Sequence, residues 1–397
     1  MLDMNNKKII SVFSLCMLFV SCKERTQVCD VDVLHISTEK SCMIESKDIV
    51  KDWNIIELEN VPEAVIPEIR DMAIVDNKIY CFSGSLGGYV VVFDMDGKFL
   101  FKIDHRGKAQ NEWIELSSFF VNRKEKFMLL TDCRSKKILK YDLEGRYIKS
   151  YVIGENAPME VAMNDGLLYS VTSLLPSGGH IDGSNDFKVH IYNEKGELLK
   201  KEIETQYNDL GVVQVRNWNE ITMSYDGRMY YAPLLSEYVY EIKKDTVRPY
   251  LKYNYKGKYQ LMSADEMQKV RDDGELIWGT GGKTFYTSEF IDSPDYIYRR
   301  MGYTEAFDVF YDKKDGQTVI TQFDAPYLSE DGISRQILYP APLIYENGRY
   351  YAPFLTTVFD LPDSFIKDDM PDILKPYMDR YRNGELNALI FTYKIEL

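Results

Sequence analysis

The chain has 397 residues, of which 45% are hydrophobic and 28% charged, and this balance excludes an intrinsically disordered protein. Its formal net charge is −14, and removal of residues 1–21, which hold Lys7, Lys8 and Asp3, changes that charge to −15. An acidic surface without a basic cluster repels phosphate backbones, so we expect no nucleic-acid binding. The 30 Tyr and 19 Phe residues, against 4 His, favour β-strands over metal chemistry.

The N-terminal segment has the pattern of an export signal. Lys7 and Lys8 precede an apolar run from Ile9 to Val20, which is about as long as a signal-peptide core and too short to span a bilayer comfortably. The run ends at Phe19-Val20-Ser21-Cys22, which is similar to the lipobox of bacterial lipoproteins. We therefore expect residues 1–21 to be a lipoprotein signal peptide and Cys22 to be the acylated first residue of the mature chain.

Acylation at Cys22 would anchor the protein to a membrane without crossing it, and residues 22–30 would form the tether. The charged start Lys23-Glu24-Arg25 favours the outer membrane of a Gram-negative cell, with either periplasmic or surface-facing orientation. The alternatives are an ordinary secretory signal with a chance cysteine and, less favoured, a membrane-spanning helix.

A repeated turn motif follows in the mature chain. An aromatic residue, Asp or Asn, two further residues and Gly recur with glycines at 97, 145 and 196, in the segments Phe93–Gly97, Tyr141–Gly145 and Tyr192–Gly196. Asp or Asn opens a type I turn by bonding to the backbone, and Gly then adopts the positive φ that closes a β-hairpin. Alternation beyond the first turn predicts that Phe99, Phe101 and Ile103 share one face of a strand.

A second turn, followed by an aromatic-rich strand, occurs six times along the chain. The copies lie at 76–80, 124–128, 164–169, 225–230, 294–298 and 346–350. Units of this size match the blades of a propeller, so we expect an all-β, six-bladed β-propeller of four-stranded antiparallel blades over residues 31–397. The final strand, Leu389 to Leu397, lacks a following partner, and Trp53 to Leu58 would complete its blade. A two-domain β-sandwich protein is the alternative.

Two short insertions have helical patterns. Ser263 to Glu266 forms a capping box that opens a helix through about Arg271. Leu361 to Asn383 carries apolar residues at a spacing of 3–4 residues and is expected to pack beside the last blade.

The lipobox, the Phe93-Asp94-x-x-Gly97 turn and the following Phe101-Lys102-Ile103-Asp104-His105-Arg106-Gly107 segment together resemble the six-bladed β-propeller lipoproteins of Gram-negative bacteria. The turns are also similar to those of NHL-repeat propellers. The resemblance implies the fold and export, and it carries no activity. The family's loop ends in Gly-Pro-x-Glu and an aromatic residue, whereas Gly107 to Trp113 here keeps the first Gly, the Glu and the aromatic but lacks Gly-Pro.

Motifs that suggest a cofactor or a metal fail on their spacing. Gly279 to Thr284 has Ile277 where a phosphate-binding loop needs Gly. Asp94 to Gly97 begins like a calcium loop, but the twelfth position is His105 rather than Glu. A weak acidic cluster of Asp182, Ser184 and Asp186 is more typical of a loop. The four histidines lack metal-ligand spacing, so we expect no cofactor and no metal.

The cysteines give one open alternative. Cys29 and Cys42 could pair in an oxidising compartment, whereas Cys81 and Cys133 are interpreted as small core residues.

The best candidate ligand-binding surface is His105, Gln110, Glu112 and Trp113, on the connection between the first two blades. Such connections approach one mouth of a propeller channel. The alternative is structural, with Trp113 packed between blades and Glu112 capping the turn.

These observations favour a monomeric, non-enzymatic lipoprotein that binds a glycan, a peptide or an envelope protein near its own membrane. The alternative function is an envelope hydrolase or lactonase-like enzyme that uses a metal in the channel. Three or more converging carboxylates or imidazoles would favour that enzyme.

Overall fold

The computed structural model describes residues 33–84, 87–153, 158, 160–171, 187–204, 220–233, 236–255, 286–302, 307–323, 325–329, 332–336, 339–354 and 374–397, with backbone only at 286–288, 302, 325–329 and 332–336. The signal segment, Cys22, Cys29, the insertion after Ser263, the Gly279 segment and the Asp182 cluster lie outside these residues. Six β-sheets form the blades of a propeller ring. Each contains four antiparallel strands that lie side by side from the centre of the ring outward.

Blades 1–3 are each made from four consecutive strands. These are β4–β7 (Asp71–Val75, Lys78–Ser83, Tyr89–Asp94, Phe99–Ile103), β8–β11 (Leu116–Asn122, Phe127–Asp132, Lys137–Asp142, Tyr147–Val152) and β12–β15 (Glu160–Asn164, Leu167–Val171, Phe187–Asn193, Leu198–Glu204).

Blades 4 and 5 each carry a fifth, parallel strand from the N-terminal part of the chain. Blade 4 contains β16–β19 (Ile221–Met223, Met229–Tyr231, Tyr238–Lys243, Thr246–Asn254) with β1 (Leu34–Ser37), and blade 5 contains β20–β23 (Tyr286–Asp292, Tyr296–Gly302, Phe307–Asp312, Thr318–Thr321) with β2 (Cys42–Met43).

Blade 6 joins the two ends of the described chain. It contains β26 (Ile344–Glu346), β27 (Arg349–Phe354), β28 (Leu389–Ile395) and, as its outer strand, β3 (Val50–Glu57). Strand β3 pairs antiparallel with β28, Leu389 opposite Glu57 and Ile395 opposite Val50. The predicted closure of the ring is therefore confirmed, and β3 covers the edge that β28 would otherwise expose. A two-stranded hairpin, β24–β25 (Ala325–Ser329, Gly332–Gln336), lies between blades 5 and 6 in sequence.

The repeated turn has the predicted chemistry. Asp94 Oδ1 accepts hydrogen bonds from the backbone N–H groups of Asp96 and Lys98, each at 2.9 Å, and Gly97 has φ +82°. Asp142 and Asn193 repeat this arrangement in blades 2 and 3. The resemblance of Asp94 to Gly97 to a calcium loop is thus explained by the turn.

A second constraint acts on the turn glycines. A Cβ on Gly97 would lie 2.1 Å from the carbonyl oxygen of Glu57, and one on Gly196 would lie 2.3 Å from that of Val152. Both contacts are with the outer strand of the preceding blade. Glycine is needed there for two reasons. The turn packs closely against a neighbouring backbone, and φ at this position is positive.

The predicted common face of Phe99, Phe101 and Ile103 is wrong for Phe99. A β-bulge lies where Val92 pairs with Phe101 and Phe93 pairs with Phe99, which leaves Leu100 unpaired. The extra residue reverses the alternation, so Phe99 packs in the cluster between blades 6 and 1, whereas Phe101 and Ile103 pack between blades 1 and 2.

Two helices are described, α1 (Ser46–Ile49) and α2 (Lys375–Arg382). Helix α2 confirms the described part of the predicted insertion beside the last blade, because Leu374, Tyr377 and Tyr381 pack with blade 6 residues. Its Arg380 also pairs with Glu57 of β3, Nη1 to Oε2 at 2.8 Å. Among the described residues, no helix is long and apolar enough to cross a membrane.

The first strands of the six blades surround a central channel whose two ends differ. At the turn end, each first strand leads through a short turn into the second strand, for example at Asp76-Asn77 and Asp165-Gly166. At the loop end, the first strands begin, and the longer connections between blades lead into them.

Candidate binding site at the central channel

The channel contains a cavity of about 90 Å³. Its walls come from the first strands of blades 1, 2, 4, 5 and 6, and the lining residues include Met72, Phe119, Phe120, Met223, Phe290 and Leu343. Two arginines also line it, Arg70 before β4 and Arg123 after β8. The cavity walls therefore combine apolar side chains with polar groups, and charged residues lie near both ends.

Contacts between non-adjacent blades cross the turn end of this channel. Arg123 of blade 2 forms an ion pair with Glu346 of blade 6, and both side chains are less than one-fifth exposed. The rings of Tyr225 of blade 4 and Tyr345 of blade 6 meet edge to face with centroids 5.7 Å apart. We call these four residues, Arg123, Tyr225, Tyr345 and Glu346, the floor of the channel.

Charged residues lie at the loop end. Arg70 is half-buried, and its guanidinium carbon lies 5.9 Å from the centroid of the Phe82 ring. Burial lowers the pKa of Arg70, and the nearby carboxylates of Asp71, Glu68 and Glu160 partly offset that effect. This end of the channel therefore holds a cation surrounded by a larger number of acidic groups.

Burial displaces the pKa of two groups in blade 3. Glu160 accepts hydrogen bonds from the backbone N–H groups of Glu220 and Ile221, each at 2.8 Å, and so joins blade 3 to blade 4. Burial raises the pKa of Glu160 to about 8. Burial also lowers the pKa of Lys188 to about 8, against the attraction of Glu220. Perturbed groups of this kind cluster at functional sites more often than elsewhere.

The four residues singled out from the sequence lie together on the connection before β8, and none lines the channel cavity. Trp113 is fully buried between blades 1 and 2, where its Nε1–H donates to the Gly88 carbonyl at 3.0 Å. The Glu112 carboxylate accepts a hydrogen bond from Ala109 N at 2.8 Å. Trp113 and Glu112 thus have the structural contacts of the alternative interpretation, whereas His105 and Gln110 are exposed.

Sequence reasoning missed the most heavily bonded carboxylate at the turn end, Asp292 of β20. Asp292 Oδ2 accepts hydrogen bonds from the hydroxyls of Tyr230 at 2.5 Å and Tyr250 at 3.2 Å. The same oxygen lies 3.1 Å from Arg228 Nη2, and Oδ1 lies 2.5 Å from Lys313 Nζ. Its partners come from blades 4 and 5, so no local motif marks it. Only the register of two separate sheets brings them together.

A second buried carboxylate, Asp132, holds the start of blade 2. Its oxygens accept hydrogen bonds from the backbone N–H groups of Ile114, at 2.8 Å, and Glu115, at 3.2 Å. Burial alone would raise the pKa of Asp132, but the hydrogen bonds from Ser135 and the backbone lower it overall. Among the described residues, no three His, Cys, Asp or Glu side chains are placed to hold a metal ion.

The cysteines are in different environments. Cys81 is fully buried, as expected for a core residue, whereas Cys133 is half-buried and Cys42 is exposed. The proposed partner of Cys42, Cys29, lies outside the described residues.

The fold and the channel define a six-bladed β-propeller whose central channel is crossed at the turn end by the floor residues. The chain belongs to the family described as a domain of unknown function, DUF4934, whose model matches residues 29–388. A comparison with curated proteins finds no significant match.

Two solved structures from Bacteroides share the fold. One, a candidate exported protein of Bacteroides fragilis, is 14% identical, with a TM-score of 0.71 over 92% of this chain and 100% of that one. The other, a DUF4221 family member from Bacteroides vulgatus, is 11% identical, with a TM-score of 0.52 over 88% and 98% of the two chains. At these identities the likeness shows the fold alone.

Proposed function

We propose that this protein is an exported lipoprotein, anchored at Cys22 to the outer membrane, that binds a partner without catalysis. The basic and apolar N-terminal segment and the Ser21-Cys22 junction support export and lipidation. The description of the Bacteroides fragilis structure as a candidate exported protein is consistent with this proposal.

The anchor is tested on the full-length gene expressed in a Gram-negative host. Mass spectrometry of the mature N-terminal peptide should find acyl chains on Cys22, and the protein should sediment with outer membranes. The Cys22→Ser variant should lose both properties. An unmodified Cys22, or a protein that remains in the cytoplasm, would reject this part of the proposal.

The observation that carries the binding function is the channel itself, a small cavity of mixed polarity that the floor residues cross at the turn end and that is charged at its loop end. The cavity has room for a small group and not for a whole polymer, so the partner would insert one residue or one sugar and contact the surrounding surface. Acidic acceptors near Arg70 suit the hydroxyls of a glycan or the donors of a peptide. The proposed partner is therefore a peptide, a glycan or an envelope protein.

His105 and Gln110 would belong to the outer part of this binding surface, since their side chains are exposed near the loop end. The test uses purified full-length protein on a glycan array and against envelope extract. His105→Ala and Gln110→Ala should weaken binding with no loss of stability. Trp113→Ala is unsuitable because it would leave a large hole between blades 1 and 2.

A further inference from the structure

The connection between blades 1 and 2 turns its backbone acceptors inward. Lys137 Nζ of β10 donates hydrogen bonds to the carbonyl oxygens of Ala109, at 2.8 Å, and Glu112. Tyr141, also on β10, donates its hydroxyl hydrogen to the Asn111 carbonyl at 2.9 Å. Donors of blade 2 therefore hold the tip of this connection in one conformation, and a ligand that binds to it has little backbone to order.

Both carboxylates of the connection have partners within it or beside it. Asp104 Oδ1 lies 2.9 Å from Arg106 Nε, and Asp104 Oδ2 lies 3.2 Å from Lys102 Nζ. Glu112 Oε2 accepts a hydrogen bond from Ala109 N at 2.8 Å. These acidic groups are thus engaged by the protein itself.

The outward face of the connection presents hydrogen-bond donors. Its exposed side chains include Lys108, Gln110 and Asn111, which carry an ammonium group and two primary amides. Within the described part of the chain, none of these three side chains forms an ion pair or a hydrogen bond. The exposed imidazole of His105 lies on the same connection, its ring centroid 6.1 Å from that of Trp113. We call His105, Lys108, Gln110 and Asn111 the donor face.

The local charge of this region is opposite in sign to that of the whole chain. The connection and the strands beside it carry four cationic side chains and two carboxylates, namely Lys102, Arg106, Lys108 and Lys137 with Asp104 and Glu112. The next carboxylate along the chain, Glu115, is paired with Arg134, Oε2 to Nε at 2.6 Å. The chain has a net charge of −14, but charges more than about 8 Å away are largely screened at physiological ionic strength. The local cations therefore favour an anionic ligand.

We propose that the donor face binds an acidic oligosaccharide. The ammonium of Lys108 holds a carboxylate or sulfate group, and the amides of Gln110 and Asn111 bond to neighbouring hydroxyls. A hydrogen bond from an ammonium to an oxyanion is roughly twice as strong as one between neutral groups, and amides both donate to and accept from hydroxyls. This assignment rests on the binding function proposed above, and it narrows the partner to one class.

An acidic peptide suits the donor face less well. Protein interfaces are usually anchored by large aromatic side chains such as Trp and Tyr. The exposed side chains from His105 to Asn111 include no Phe, Tyr or Trp, and Trp113 is fully buried. The amides match the hydroxyls of a sugar instead.

The test is isothermal titration calorimetry of the purified full-length chain with an oligogalacturonate and its neutral methyl ester, and with a sulfated oligogalactan and its desulfated form. In at least one pair, the acidic form should bind at least about tenfold more tightly than the neutral form, roughly 1.4 kcal/mol. Lys108→Ala should remove most of this difference. Lys108→Arg should keep it, because the positive charge remains.

Lys195→Ala is the matched control. Lys195 is exposed in the turn between β14 and β15, with Glu194 before it and Glu197 two residues after it. The same loss of one positive charge there should leave every affinity unchanged.

Equal affinity for the acidic and neutral forms, or wild-type binding by Lys108→Ala, would overturn the assignment. A poly-glutamate peptide that binds as tightly as the acidic oligosaccharide would assign the donor face to an acidic peptide instead. In each of these cases, a partner found on the glycan array or in envelope extract would still support the proposed function, which fails only if neither screen finds a partner.

Discussion

The two ends of the central channel differ in how they are built. At the turn end, short turns, the floor of the channel and the Asp292 network connect the blades. At the loop end, burial displaces the pKa values of Glu160 and Lys188 to about 8. The difference teaches that the turn end is held by ion pairs and hydrogen bonds between blades, whereas burial at the loop end displaces the pKa values of two charged groups toward neutrality.

The largest effect should come from breaking the Asp292 network at the turn end. Asp292→Ala leaves Arg228 and Lys313 without their shared carboxylate, so we expect a loss of about 3–5 kcal/mol in the free energy of unfolding. Urea denaturation measures it. Asp226→Ala is the control, because Asp226 also pairs with Arg228 but is one-third exposed, and it should cost about 1 kcal/mol. Equal losses would show that the network has no special role.

The packing of a turn glycine should have the next largest effect. Gly196→Ala adds a Cβ that meets the Val152 carbonyl, and we expect a loss of about 2–4 kcal/mol. Gly227 has a similar φ of +84° with nothing within 4 Å of the added Cβ, so Gly227→Ala should lose only about 1 kcal/mol. Thermal unfolding of both variants separates the backbone effect from the contact, and identical melting temperatures would contradict the close packing.

Glu160 should make the loop end sensitive to pH. Its folded-state pKa, about 8, lies above the ordinary value of 4.5, so the folded protein holds a proton that the unfolded chain releases. The resulting stabilisation is complete below about pH 4.5 and is lost as the pH rises through 8. Between pH 6 and 8 we expect a decrease of about 2 kcal/mol. Glu160→Gln should remove most of this dependence, and an unchanged pH profile would show that Glu160 does not titrate there.

The smallest effect should come from the floor. A double-mutant cycle with Arg123→Ala and Glu346→Ala should give a coupling energy of about 1 kcal/mol, because the cost of removing both charges from water offsets much of their attraction. Additive losses would mean that the two residues do not stabilise each other across the turn end.

Most of the fold could be predicted from the sequence. The recurring Asp-x-x-Gly turns and six aromatic strands determine the blades, and the unpaired strand at the end of the chain predicts how the ring closes. The face of Phe99 could not be predicted, because a bulge is a property of two paired strands and leaves no mark in one of them. Strands β1 and β2 were also missed, since they are short and depend on the edges that blades 4 and 5 present.

The candidate site was much less predictable. Trp113 lies in a segment whose sequence is typical of a connecting loop, yet its ring is buried. This burial depends on the packing of blades 1 and 2, which the loop sequence does not indicate. Glu160, Asp292 and the floor combine residues far apart in sequence, so spacing gives no signal for them. The loop connecting the first two blades was identified from the sequence, whereas the channel became visible only when the first strands were arranged in a ring.

The most direct test of the account compares binding by variants at the two ends of the channel. Full-length wild-type protein is first screened on a glycan array and against envelope extract to identify a ligand. The affinity for that ligand is then measured for wild type, for Asp71→Asn and Glu289→Gln, which alter acidic groups that line the channel, and for Lys124→Ala at the turn end. The account predicts that the first two variants weaken binding at least about tenfold, roughly 1.4 kcal/mol, and that Lys124→Ala binds as wild type. Binding that survives both carboxylate substitutions and is lost with Lys124→Ala would contradict it.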